Sequence, residues 1–170
     1  MREVSCADIA ALVERLCVQA ATVLPEDLCR CIETAKEREE SPVGRGILQD
    51  IADNFHLARE RGIPICQDTG MAVVFVRLGQ EVHLTGGGLR EAVDLGVRKG
   101  YVNGRLRCSV VGDPLRRENT GDNTPAVLHV ELVEGEECTI TVAPKGFGSE
   151  NMSAMKMFTP AATREDVEDW

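Results

Sequence analysis

Aromatic side chains are scarce in this sequence: one Trp, one Tyr and four Phe make up 4% of its 170 residues. A core must therefore be filled mainly by Val, Leu, Ile, Ala and Met. No stretch approaches the ~20 apolar residues that span a bilayer, and the N-terminus has no apolar run of a secretory signal. The expected compartment is the cytoplasm, with no membrane partner. Basic residues are outnumbered, 19 Lys and Arg against 28 Asp and Glu, for a net charge of −9. Without a basic face to displace phosphate counterions, no nucleic-acid partner is expected. The acid gathers in residues 33–40, 131–137 and 165–169, which read as solvated faces. Cysteine is not scarce, with seven, but no C-x-x-C pair occurs and the spacing describes no disulfide framework. Most of these thiols read as small core residues in a reducing compartment.

A length of 170 residues fits one domain, or one domain and part of another. Residues 1–62 read as a helical region. Within 6–39 two helices are expected, the first carrying Ile9, Leu12, Val13, Leu16, Cys17 and Ala20 at helical spacing. Pro25-Glu26-Asp27 suits the first turn of the second. Ser41-Pro42 reads as N-cap and N1 of a third helix running to about Arg61, with Gly62 as its stop. Ile47, Leu48, Ile51, Phe55, Leu57 and Ala58 would form its inner stripe.

From residue 63 the period changes, and 63–170 reads as a mixed α/β region. Residues 71–78 (MAVVFVRL) predict a buried strand, and 81–84 a short second one. Three glycines, 86–88, lead into a helix over LREAVDLGVRKGY. A strand is expected at 105–111, a polar loop at 113–124, and a hairpin joining 125–133 to 137–143 through Glu134-Gly135-Glu136. Residues 144–160 are Gly- and Met-rich and irregular. A last helix begins at Thr163, whose pattern still runs at Trp170 without a Gly or Pro stop; this predicts a truncated chain with an exposed apolar face near 163–170. The fold class expected is α+β, N-terminal helices followed by a mixed sheet with covering helices.

The most informative segment is Pro64-Ile65-Cys66-Gln67-Asp68-Thr69-Gly70. It sets a thiol beside an amide, a carboxylate and a hydroxyl, between a helix stop and a strand, with Pro64 and Gly70 turning the backbone at each end. Its structural alternative is a thiol buried in a turn. Two further segments stand out: Leu106-Arg107-Cys108-Ser109 followed by Asn119-Thr120-Gly121-Asp122-Asn123-Thr124-Pro125-Ala126, and Pro144–Pro160 (PKGFGSENMSAMKMFTP).

Together these segments resemble, in order, the motifs of the iron–sulfur (class I) fumarate hydratase and L-tartrate dehydratase family, across roughly residues 43–160. The resemblance implies a hydro-lyase of the fumarate hydratase type, acting in the tricarboxylic acid cycle, and assigns this chain to the N-terminal part of an α subunit. Cys66 matches a thiolate that holds a [4Fe–4S] cluster. Gln67 and Asp68 match residues that contact substrate, and Arg107 an arginine that pairs with a substrate carboxylate. Gly148 and Ser149 match a loop whose backbone approaches the bound acid. Implied partners are a four-carbon dicarboxylate substrate and a β subunit or C-terminal domain, in an oligomer. Phe147 and Met152 depart from the family's glycine and lysine. The family's remaining cluster cysteines and its catalytic base match nothing in this chain. The isolated chain is therefore expected to hold no stable cluster and to be inactive. L-Tartrate dehydratase is the nearest alternative activity, and a non-catalytic scaffold or assembly module the alternative of a different kind.

Other features carry less. Thr85-Gly86-Gly87-Gly88 resembles an anion-binding helix start but lacks dinucleotide or Walker spacing. Cys29 and Cys31 would point to different faces of a helix. His56, His83 and His129 share no motif, and Met152, Met155 and Met157 read as packing residues.

Overall fold

The structure, a computed structural model, describes residues 1–148 and 152–170. Strand β1 (Arg2–Ser5) runs directly into helix α1 (Cys6–Thr22), whose first turn is capped by Ser5: its Oγ accepts from Ala7 N at 3.1 Å. Helices α2 (Glu26–Arg38) and α3 (Pro42–Arg61) follow. Pro25 is the N-cap of α2 rather than a residue of its first turn, and Ser41 caps α3 as the sequence implies. Gly62, at φ 61°, closes α3 in the left-handed conformation that a β-carbon disfavours. Strands β2 (Met71–Gly79) and β3 (Val82–Thr85), helix α4 (Leu89–Asn103), strands β4 (Val127–Val133) and β5 (Cys138–Lys145), and a short helix α5 (Arg164–Glu168) complete the order. This is an α+β fold.

Strand β1 is not expected from sequence. Its four residues are stabilised by a parallel pairing with β3, from Arg2 opposite Val82 to Ser5 opposite Thr85. That long-range pairing starts α1 and α4 side by side. The two helices then run in the same direction, in very close contact. A β-carbon on Gly96 would lie 2.6 Å from Ala10 O, and one on Gly100 would lie 2.8 Å from Cys17 Cβ. The main core lies between this helix pair and β2. It joins Ile9, Ala10, Val13 and Cys17 to Ala72, Val74 and Val76, and to Ala92, Val93, Val97 and Tyr101. Burial pushes the Cys17 thiol pKa up to about 12. Cys29, Ala52 and Phe55 form a smaller core between α2 and α3.

Five further expectations need correction. Strand β2 is buried on one face only: Phe75 is 44% exposed and stacks on His129 with ring centroids 5.0 Å apart. The strands at 125–133 and 137–143 exist but do not form a hairpin. They flank β2 in the order β4-β2-β5, parallel on one side and antiparallel on the other. The 134–137 turn instead crosses the end of β2, where Gly79 N donates to Glu137 O and Glu81 N donates to Gly135 O. Any side chain on Gly79 would overlap the Gly135 carbonyl, so the crossing requires glycine there. Residues 105–111 form no strand beyond an isolated bridge between Val111 and Asn119. The α3 stripe is narrower than expected, because Ala52, Phe55 and Ala58 are buried while Ile47, Ile51 and Leu57 are exposed. The side chains of Met152, Met155 and Met157 are also exposed rather than packed. No helix among the described residues is long and apolar enough to cross a membrane.

Candidate functional site

The three motif segments meet at the end of β2 where it begins. Ile65 is tied back to the helices: its N–H donates to Ala21 O, and its carbonyl accepts from Asn54 Nδ2. Cys66 follows, exposed, with Asp68 N donating to its Sγ at 3.4 Å. Thr69 is buried. Its hydroxyl donates to Arg107 O at 2.9 Å, and its carbonyl accepts from the phenol of Tyr101 at 2.8 Å. Burial raises the Tyr101 pKa, so the phenol remains a neutral donor at physiological pH. The next residue, Gly70, passes so close to β5 that a side chain would overlap the Lys145 carbonyl.

The glycine-containing loop after β5 is latched to the same segment. Asp68 Oδ2 accepts from Phe147 N at 3.0 Å and from Gly148 N at 3.2 Å. Two successive backbone N–H groups on one carboxylate oxygen form a small anion cradle, here filled by the chain's own acid. Gly146 permits the approach, since a β-carbon there would sit 2.9 Å from Asp68 Oδ2.

The third segment is organised by Asn123, which is fully buried. Its Oδ1 accepts from Ser109 N at 2.7 Å and Val110 N at 3.1 Å, while its Nδ2 donates to Gly70 O at 2.9 Å. Asn119 Nδ2 donates to Cys108 O, and Thr120 Oγ1 donates to Val110 O. Asp122 ties this segment to α4. Burial pushes its carboxyl pKa upward, but the hydroxyl and amide of Thr124 and the guanidinium of Arg98 at 2.7 Å outweigh burial and lower it.

Thus the structure joins Asp68 to Gly148 directly, and the Cys66–Gly70 loop to Arg107 through the main chain. Gln67 and the Arg107 side chain are exposed, and neither side chain makes a hydrogen bond or ion pair among the described residues. Asp68 Oδ1 is likewise uncommitted. Ser149 lies outside the described residues. Thr69, Tyr101 and Asn123 do not figure among the sequence-derived site residues. The N-T-G-D-N run was the signal for Asn123, although a sequence does not show that its amide faces inward. The donor set meets only part of what a cluster needs. Cys66 is an exposed soft thiol suited to iron, but no group of three His, Cys, Asp or Glu side chains among the described residues could hold a metal. These residues supply one ligand and do not complete a cluster site among the described residues.

Comparison with known proteins gives a consistent picture. The family model described as fumarate hydratase (Fumerase) matches residues 10–170. A Methanocaldococcus jannaschii protein named "Putative L(+)-tartrate dehydratase subunit alpha" is 36% identical over 95% of this chain and 59% of its own length. The anaerobic class I fumarate hydratase of Escherichia coli K12 is 36% identical over 64% of this chain and 20% of its own. An L(+)-tartrate dehydratase subunit alpha of Escherichia coli UTI89 is 26% identical over 94% of this chain and 53% of its own. The chain thus spans little more than half of the α subunits it resembles and a fifth of that fumarate hydratase. With nearly its whole length matched by the family model, this chain belongs to the fumarate hydratase (Fumerase) family.

Proposed function

We propose that this chain is the N-terminal part of the α subunit of a cytoplasmic, oligomeric iron–sulfur hydro-lyase that interconverts fumarate and malate. The observation that carries the reading is the convergence of three motif segments that leaves three polar groups uncommitted among the described residues: the Gln67 amide, Asp68 Oδ1 and the Arg107 guanidinium. A dicarboxylate needs such a set. Arg107, always charged and planar, pairs with one carboxylate. Gln67 and Asp68 Oδ1 take the substrate's hydroxyl or the water that becomes it. Asp68 Oδ2 meanwhile holds Phe147 and Gly148 in place. Cys66 would hold one corner of a [4Fe–4S] cluster, the other ligands coming from a β subunit or C-terminal domain. When bound, the cluster supplies an iron with an open position that acts as a Lewis acid. With one thiolate in the motif, the 170-residue chain alone holds no stable cluster and is inactive.

A second reading, L-tartrate dehydratase, is favoured by a specific observation: two relatives that align over nearly the whole chain carry the name L(+)-tartrate dehydratase subunit alpha, the Methanocaldococcus jannaschii one with the prefix "Putative". Both substrates are four-carbon dicarboxylates, and the choice turns on one additional hydroxyl. The decisive assay places this sequence in a complete α chain, co-produces a β-type partner, and measures turnover of fumarate, L-malate and L-tartrate. Hydration of fumarate that is lost in Cys66→Ala supports the proposal. An iron-loaded assembly inert toward all three acids would sink it, and near-stoichiometric iron and sulfide in the isolated chain would overturn the single-ligand argument.

A further inference from the structure

We infer that Asn123 is the positioning residue of this site, setting the Cys66–Gly70 loop and the Arg107 segment at a fixed separation. The inference rests on the hydro-lyase reading only for its kinetic consequence.

Three observations converge on this residue. Asn123 has 0% exposure, yet its side chain bonds three main-chain groups that belong to two different motif segments. Its oxygen uses both lone pairs, on Ser109 N and Val110 N, and its nitrogen donates to Gly70 O. Only a side chain with an acceptor at one end and a donor at the other can make both connections. Aspartate offers no donor to the Gly70 carbonyl, and leucine offers neither. The backbone adds a second constraint. Asn123 has φ 61°, a left-handed conformation that Asn tolerates better than most residues with a side chain.

The segments bridged are those whose relative placement matters. Gly70 is four residues from Cys66 and is wedged against Lys145 of β5, so the Gly70 carbonyl is a fixed anchor. Ser109 follows Arg107 by two residues, and 105–111 has no strand ladder to hold it. The Asn123 amide does for this segment what a neighbouring strand would otherwise do. The Thr69 hydroxyl on Arg107 O makes a second strut nearby. Loss of the amide leaves two part-buried N–H donors and the Gly70 carbonyl without this partner, and the Arg107 segment gains freedom to move relative to Cys66.

The test uses Asn123→Gly and Asn123→Asp. Glycine keeps the left-handed backbone and removes the bridge; aspartate keeps the acceptor and removes the donor. In the 170-residue chain, amide exchange at Ser109 and Val110 should rise about tenfold or more in Asn123→Gly. Iodoacetamide modification, resolved by mass spectrometry, should change several-fold at Cys66. Exposed Cys31, on α2, and buried Cys17 should keep their wild-type rates. That pattern separates local positioning from general destabilisation, which would expose Cys17 as well. Unchanged exchange at Ser109 and Val110, or Cys66 and Cys17 changing together, overturns the inference. In the assembled enzyme the same Asn123→Gly should raise KM for the dicarboxylate by about tenfold or more, at full iron content. If the wild-type assembly turns over no acid, the hydro-lyase reading fails, and the exchange and alkylation results still decide the role of Asn123.

Discussion

At Gly70 the backbone has φ 58°, and the Lys145 carbonyl occupies the space where a side chain would begin. Either condition alone disfavours substitution, and together they admit no relaxed alternative, because the overlapping atom is backbone of a strand paired along its length with β2. Gly70→Ala should cost about 3 kcal/mol or more, from left-handed strain plus a displaced strand end. Urea denaturation checks this, and a loss below about 1 kcal/mol would contradict the packing described. Asp68 makes a different kind of contribution, since its carboxylate is partly solvated and holds a loop rather than the core. Asp68→Ala should raise amide exchange at Phe147 and Gly148 about tenfold while leaving the urea midpoint nearly unchanged. A large midpoint shift would mean that the latch belongs to the fold and not only to the site.

The contact between α1 and α4 depends on glycine at 96 and 100, and the same residue type elsewhere in a helix has the opposite consequence. On Gly96 an alanine β-carbon meets Ala10 O at 2.6 Å and Val13 Cβ at 2.6 Å, both fixed atoms, whereas at Gly46 of α3 nothing lies within 4 Å. Gly96→Ala should therefore destabilise by about 1–3 kcal/mol through overpacking. Gly46→Ala should stabilise by about 0.5–1 kcal/mol through helix propensity. Thermal denaturation of the two variants side by side checks both signs. The helices were legible in the sequence because their signals are local: Ser41 as cap, Gly62 as stop, and apolar positions at helical spacing. Strand partners were not. Alternation identified β4 and β5 but could not show that β2 inserts between them, a placement set by the bare backbone at Gly79. Strand β1 carried no signal at all, because only its partner β3 makes it a strand. In the candidate site, the motif segments announced themselves, Thr69 and Asn123 among them, but the buried hydrogen bonds through which Thr69, Tyr101 and Asn123 act are revealed by no spacing.

Across the whole molecule, one core joins the first helix to the sheet and to α4, so a boundary drawn at residue 62 divides the chain in sequence while α1 packs in space against elements from beyond it. Two titratable groups inside that core shape how stability responds to alkaline pH. Burial raises the pKa of Cys17 from the ordinary 9.0 to about 12, and burial likewise raises that of Tyr101, 1% exposed in the same cluster. Both groups are acids whose neutral form the folded core prefers. In the unfolded chain Cys17 loses its proton near 9, while in the folded chain it keeps it until about 12. The stability due to this preference is therefore complete below pH 9 and declines as pH rises from about 9 toward about 12, because the unfolded state releases its proton first. Cys17→Ala removes one of the two acids and forfeits some packing at every pH. Its urea midpoint should start below wild type at pH 8 and fall less steeply toward pH 11. Parallel midpoint curves for the two proteins across that range would show that the thiol titrates alike in both states, which a side chain sealed between α1 and α4 does not permit.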